Sequence, residues 1–223
     1  MGRPFFMAEA TRQFFRPATP RRKNVSIKQA YPRVSPMDSQ ERPAVPQATS
    51  KPPLHRLILL RHAKSAWPEG VADHERPLAK RGEKAALTMG AYMAREGLIP
   101  DLVLVSTAKR TQQTWKLVRK ALPENIEEHD RPDLYEAGGE KIVDVVRSVD
   151  QPAQSLMLIA HHPGMVDAVQ LMTGGGDPDA IARITEKYPT AGLAVVAFDI
   201  ERWHDVGPLE GYLERFVTPS MLE

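Results

Sequence analysis

The sequence has no cysteine, which excludes disulfides, thiolate nucleophiles, cysteine-ligated zinc and iron–sulfur clusters. It also has no apolar run near the ~20 residues that a membrane-spanning helix requires. The apolar runs, such as Leu57–Leu60 and Leu193–Phe198, are the length of strands. Aromatic residues make up only 6% of the 223 residues, and the net charge is only +2. With 42% hydrophobic and 26% charged residues, neither wholesale disorder nor a fibrous repeat fits. This composition belongs to one soluble folded core with an extension, at roughly 100–200 residues per domain.

The near-neutral total hides an asymmetry. Met1–Leu54 holds ten Lys/Arg against three acids, a local charge of +7, which leaves −5 for the rest. The same stretch holds nine of the twenty prolines and no sustained apolar period. Such a segment buries too little apolar surface to offset its chain entropy, so residues 1–53 are expected to form a disordered, basic, proline-rich arm. Phe14, Phe15 and the neighbouring arginines faintly resemble an organellar transit peptide; a plain extension, or a start at Met7 or Met37, is the alternative. The basic excess belongs to the arm, so nucleic acid is not expected as a partner of the domain.

From residue 54 onward strands and helices alternate. His55–Arg61, Leu102–Val105, Ile126–His129, Ser155–Ala160, Leu193–Ile200 and Leu213–Val217 read as strands. Leu78–Glu96, Lys109–Leu122, Lys141–Val149 and Gly164–Met172 read as helices. The order predicts a three-layer α/β/α sandwich around a mostly parallel sheet, with residues 54–223 as its domain. Gly174-Gly175-Gly176 lacks the Gly-Lys-Ser/Thr of a phosphate loop and reads as a turn after a helix.

In this fold class, sites form beyond the carboxyl ends of strands. The first strand ends in Arg61-His62-Ala63-Lys64-Ser65, the second in Ser106-Thr107-Ala108-Lys109-Arg110-Thr111, and the fourth in His161-His162-Pro163-Gly164. If the three are parallel neighbours, two arginines and two or three histidines converge. Arginine forks match phosphate oxygens, and neutral histidine is a nucleophile, so the set suggests metal-free phosphoryl transfer. Taken singly, each element reads as a solvated strand end or helix start. A metal pair at His161-His162 is disfavoured, because adjacent histidines point apart.

These residues resemble the histidine phosphatase superfamily, also called phosphoglycerate mutase-like, and most nearly its SixA-type phosphohistidine phosphatases. Five blocks occur in order between Leu54 and Phe198: Leu57–Trp67 with the Arg-His pair, Arg76-Pro77-Leu78 with Lys80-Arg81-Gly82, Ser106–Thr114, Leu134-Tyr135-Glu136-Ala137, and Ile159–Met165. Ala63 stands where the wider superfamily has glycine, and His162 where it usually has asparagine. The resemblance implies His62 as the phosphorylated nucleophile, with Arg61, Arg110 and His161 holding the phosphoryl oxygens. It places Ser65, Lys64 and His162 at the substrate, and it implies no cofactor and no metal.

Glu136 and Asp73 are the candidate general acids. Glu136 also fits a loop–helix junction, and a phosphohistidine substrate relaxes the need for an acid. The stretch between Arg110 and His161 is short and holds Glu124, Glu127, Glu128, Asp130, Asp133, Glu136 and Glu140. It reads as the side of an open pocket, suited to a phosphorylated protein side chain rather than a small diacid; alternatively these acids line a remote solvated face. The expected function is a metal-independent phosphatase of protein phosphohistidine, cytoplasmic and monomeric. The alternatives are a broad phosphomonoesterase and a non-catalytic phosphoprotein-binding module.

Overall fold

The computed structural model describes residues 54–223. The expected arm, its transit-peptide likeness and the alternative starts fall on residues 1–53 and lie outside the described residues.

Seven strands form one mixed sheet: β1 (His55–Arg61), β2 (Leu102–Ser106), β3 (Glu127–Arg131), β4 (Ser155–Ala160), β5 (Thr173–Gly176), β6 (Leu193–Phe198) and β7 (Gly211–Val217). Their order across the sheet is β3-β2-β4-β1-β6-β7-β5. The β3–β2, β2–β4, β4–β1 and β7–β5 pairs are parallel, and β6 is antiparallel to both β1 and β7. The fold is therefore α/β with a mostly parallel sheet, as its alternating elements imply. β4 lies between β1 and β2, so the three strand ends that carry Arg61-His62, Ser106–Arg110 and His161 are immediate neighbours.

Alternation along the strands sorts two cores. Leu57, Leu59, Leu102, Leu104, Leu156 and Leu158 face α3 (Gly139–Arg147), α4 (Gly164–Met172) and α5 (Pro178–Glu186). Ile58, Leu60, Val103, Val105, Met157 and Ile159 face α1 (Lys80–Arg95) and α2 (Lys109–Val118). Strands buried on both faces read as continuous apolar runs, which is how β1, β4 and β6 appear in the sequence. No helix among the described residues is long and apolar enough to cross a membrane.

Two expectations are corrected. Gly174–Gly176 is not a turn: with Thr173 it forms β5, which adds a parallel edge to β7. At Gly176 a Cβ would press on Leu213, so the close approach of the two strands requires glycine there. The helix α5 was not foreseen. Asp177 caps it by accepting from Ala180 N–H at 2.8 Å, Pro178 stands at its first position, and Ala180 and Ile184 are its buried face.

Candidate active site

The polar residues that follow β1, β2 and β4 gather around a cavity of about 180 Å³. Arg61, His62, Arg110 and His161 all line it, with Lys64, Ser65 and His162. The structure thus brings together seven of the nine side chains selected from the sequence.

The turn after β1 is clamped from two sides. Ala63 N–H donates to Thr114 Oγ1 of α2 at 3.0 Å, and Thr114 O–H donates to the Arg110 carbonyl at 2.6 Å. On the other side Lys64–Ala66 pairs with Pro77–Ala79 through Ala66 N–H to the Pro77 carbonyl and Ala79 N–H to the Lys64 carbonyl, each at 2.8 Å. Gly82 lets the start of α1 rest on this turn, since a Cβ there would collide with the Lys64 carbonyl.

His62 is 8% exposed, and its Nδ1–H donates to the Ala63 carbonyl at 2.8 Å. That hydrogen bond leaves the lone pair on Nε2. Burial lowers the pKa of His62 to about 4, and Arg110, Arg61 and Arg76 push the same way against the Ala63 hydrogen bond. His161, 5.2 Å away between ring centroids, is lowered to about 3, first by burial and then by His62 and Arg110. Its Nε2 lies 2.8 Å from Ser106 Oγ, while its buried Nδ1 has no partner among the described residues.

The arginines are fixed by the chain itself. Arg61 donates to the Tyr188 carbonyl at 2.6 Å, and Tyr188 O–H donates to the Leu59 carbonyl at 2.6 Å. Arg110 donates to the Asp73 carbonyl at 2.7 Å and pairs with the Asp73 carboxylate at 3.0 Å.

Arg76 is a further pocket residue that sequence reasoning placed in a motif but not in the site. It donates to Ser65 Oγ at 2.6 Å, to Asp73 Oδ1 at 2.6 Å and to the Ala66 carbonyl at 3.1 Å. Its guanidinium carbon sits 3.0 Å from the centroid of the Trp67 ring. Trp67, 74% exposed, and Thr190 complete the lining. The available signal for Arg76 was Asp73 three residues before it, a spacing that suits an ion pair on a single turn.

Neither candidate acid is among the residues that line the pocket. Asp73 is held ionised, at about 2, chiefly by its hydrogen bond with Arg76 and further by Tyr135 and Arg110. Glu136 is exposed on the loop before α3, with φ at 55°, and does not line the pocket. Ser65 is turned to the support of Arg76, which takes up its hydroxyl. The acids between Arg110 and His161 lie mostly away from the pocket: Glu128 pairs with Arg119 at 2.5 Å, and Asp133 with Arg131 at 2.8 Å. Among the described residues no cluster of three or more His, Asp or Glu is arranged to hold a metal ion.

The profile of the histidine phosphatase superfamily (branch 1) matches residues 57–139. An uncharacterized protein of Mycobacterium tuberculosis is 35% identical over 162 residues, 72% of this chain and 99% of that protein. A crystal structure from Agrobacterium tumefaciens, provisionally assigned as phosphohistidine phosphatase SixA, aligns with a TM-score of 0.63 at 30% identity, covering 74% of this chain and 98% of that one. A similarly assigned structure from Nakamurella multipartitia aligns at 0.65 with 25% identity, covering 75% and 97%.

Proposed function

Since the chain belongs to the histidine phosphatase superfamily, in its SixA-like branch, we propose that it is a metal-independent phosphatase acting on protein phosphohistidine. The observation that carries this reading is a pocket rich in arginine and neutral histidine whose lining, among the described residues, contains no carboxylic acid. Ester substrates leave as alkoxides and call for a proton donor, whereas an imidazole whose other nitrogen is protonated leaves as a neutral molecule.

In the proposed reaction, the Nε2 lone pair of His62 attacks phosphorus in line. The bond from phosphorus to the substrate nitrogen breaks as the bond to Nε2 forms, and the substrate histidine departs neutral. Arg61, Arg76 and Arg110 supply fixed positive charge for the equatorial oxygens, and His161 lines the same pocket beside them. These groups are held by backbone carbonyls, Asp73, Ser65 and Ser106, so little reorganisation is needed. Water then attacks the phosphoryl group on His62, releasing orthophosphate and regenerating the neutral ring.

Phosphate release from a phosphohistidine-bearing protein and from an alkyl phosphate such as glycerol phosphate, measured with chelator present, tests the reading. Wild-type enzyme should release phosphate faster from the first substrate, and His62→Ala should reduce release by at least about 10³-fold. Equal or faster cleavage of the alkyl ester would make this a general phosphomonoesterase. Undiminished turnover by His62→Ala would refute the nucleophile, and inhibition by chelator would refute metal independence.

A further inference from the structure

A second cavity, of about 550 Å³, opens beside the phosphate pocket and shares Arg61, Lys64 and Thr190 with it. Its remaining wall comes from three elements: Arg81 and Ala85 of α1, Lys187 and Pro189 after α5, and Thr218, Pro219, Ser220 and Glu223 after β7. Four cations, Arg61, Lys64, Arg81 and Lys187, therefore line a groove on a domain whose overall charge from residue 55 onward is −5. Among the described residues Glu223 is the one acid in that wall, and it lies 3.9 Å from Lys84.

The groove is a feature of the framework. Buried Tyr188 ties the segment beside Lys187 to β1, and Ala191 N–H donates to the Arg61 and His62 carbonyls at 3.2 and 3.1 Å. The start of α1 is seated on the Lys64 turn at Gly82. Four cations lining one groove against a single described acid give it a positive potential, and an anion laid in the groove is attracted by it.

Resting on the phosphatase reading, we propose that this groove is the subsite for carboxylate side chains flanking the phosphorylated histidine, so that the preferred substrates are acidic protein segments. The floor of the phosphate pocket fixes where the phosphoryl group sits, and Arg61 and Lys64, shared by both cavities, make the anionic path continuous. A single small phosphomonoester fills only the pocket. An extended segment reaches the groove, whose volume is about three times that of the pocket.

The test is equilibrium binding by calorimetry to full-length His62→Ala protein, which keeps the groove and does not consume the ligand. The probes are a phosphohistidine peptide with two flanking glutamates, the same peptide with glutamines, and inorganic pyrophosphate. We expect the glutamate peptide to bind about 10-fold more tightly, with the preference lost at high salt. Arg81→Glu/Lys187→Glu should abolish the preference and bind a lysine-flanked peptide better than the parent does. That gain also shows that the variant is folded.

Equal affinity for the glutamate and glutamine peptides, or a preference that survives charge reversal, overturns the proposal. So does charge reversal that weakens only pyrophosphate, which would make this a site for small diphosphates. Release of phosphate from phosphoramidate by wild-type enzyme separates the two readings. Turnover without a glutamate preference rejects the groove alone, and a glutamate preference without turnover rejects the phosphatase.

Discussion

Asp73 holds two pocket arginines with one carboxylate, Arg76 through Oδ1 and Arg110 through Oδ2, and Tyr135 O–H donates to it at 3.0 Å. A carboxylate in that setting is a brace, and its lowered pKa is the consequence of the bracing. Asp73→Asn keeps the shape but weakens the hold on both guanidinium groups. Turnover should therefore fall about 10-fold for phosphoramidate and for an alkyl phosphate alike, because both depend on the same arginines. A general acid would behave differently: its loss would spare the P–N substrate and disable the ester. The ratio of the two rates in Asp73→Asn, compared with wild type, distinguishes a brace from an acid.

At the scale of elements, the legible parts were those whose burial writes a period into the sequence. β1, β2, β4 and β6 are apolar runs of strand length because helices cover both faces, and α1, α2, α3 and α4 show one apolar stripe each. β5 could not be read this way, since Thr-Gly-Gly-Gly has almost no side chains to bury and pairs only because β7 offers an open edge. α5 was legible in principle, from Asp177-Pro178 and the Ala180–Ile184 spacing, but it is short and follows directly on the glycines. The same division holds for the site. Arg61, His62, Arg110 and His161 follow strands whose adjacency could be inferred, whereas Arg76 and Trp67 sit on a loop that reaches the pocket only through the pairing of Lys64–Ala66 with Pro77–Ala79. The basic groove was invisible for the same reason, because its cations come from positions as far apart as Lys64 and Lys187.

The whole molecule combines these charges into two expectations. His62 and His161 are buried neutral, with pKa values lowered from 6.5 to about 4 and about 3. Between those values and 6.5 the unfolded chain binds more protons than the folded one, so stability falls as pH drops through that window. At pH 5 the loss is about 2 kcal/mol for each histidine. Asp73, lowered from 3.8 to about 2, adds a loss of the same sign at still lower pH. Urea unfolding at pH 7 and pH 5 should show the decline, and His161→Gln should flatten it; an identical slope in that variant would mean that His161 is not the titrating group. Removing residues 1–53 takes away a charge of +7 and leaves an acidic domain that still contains the basic groove. Both faces of its sheet are covered by its own helices, so the shortened protein should fold and keep its kcat. Retention on an immobilised polyanion, which responds to the net charge, should drop sharply, while the salt-sensitive preference for glutamate-flanked peptide, which responds to the local arrangement of Arg81 and Lys187, should persist. If that preference disappears together with the arm, the arm and not the groove recognises the acidic flank.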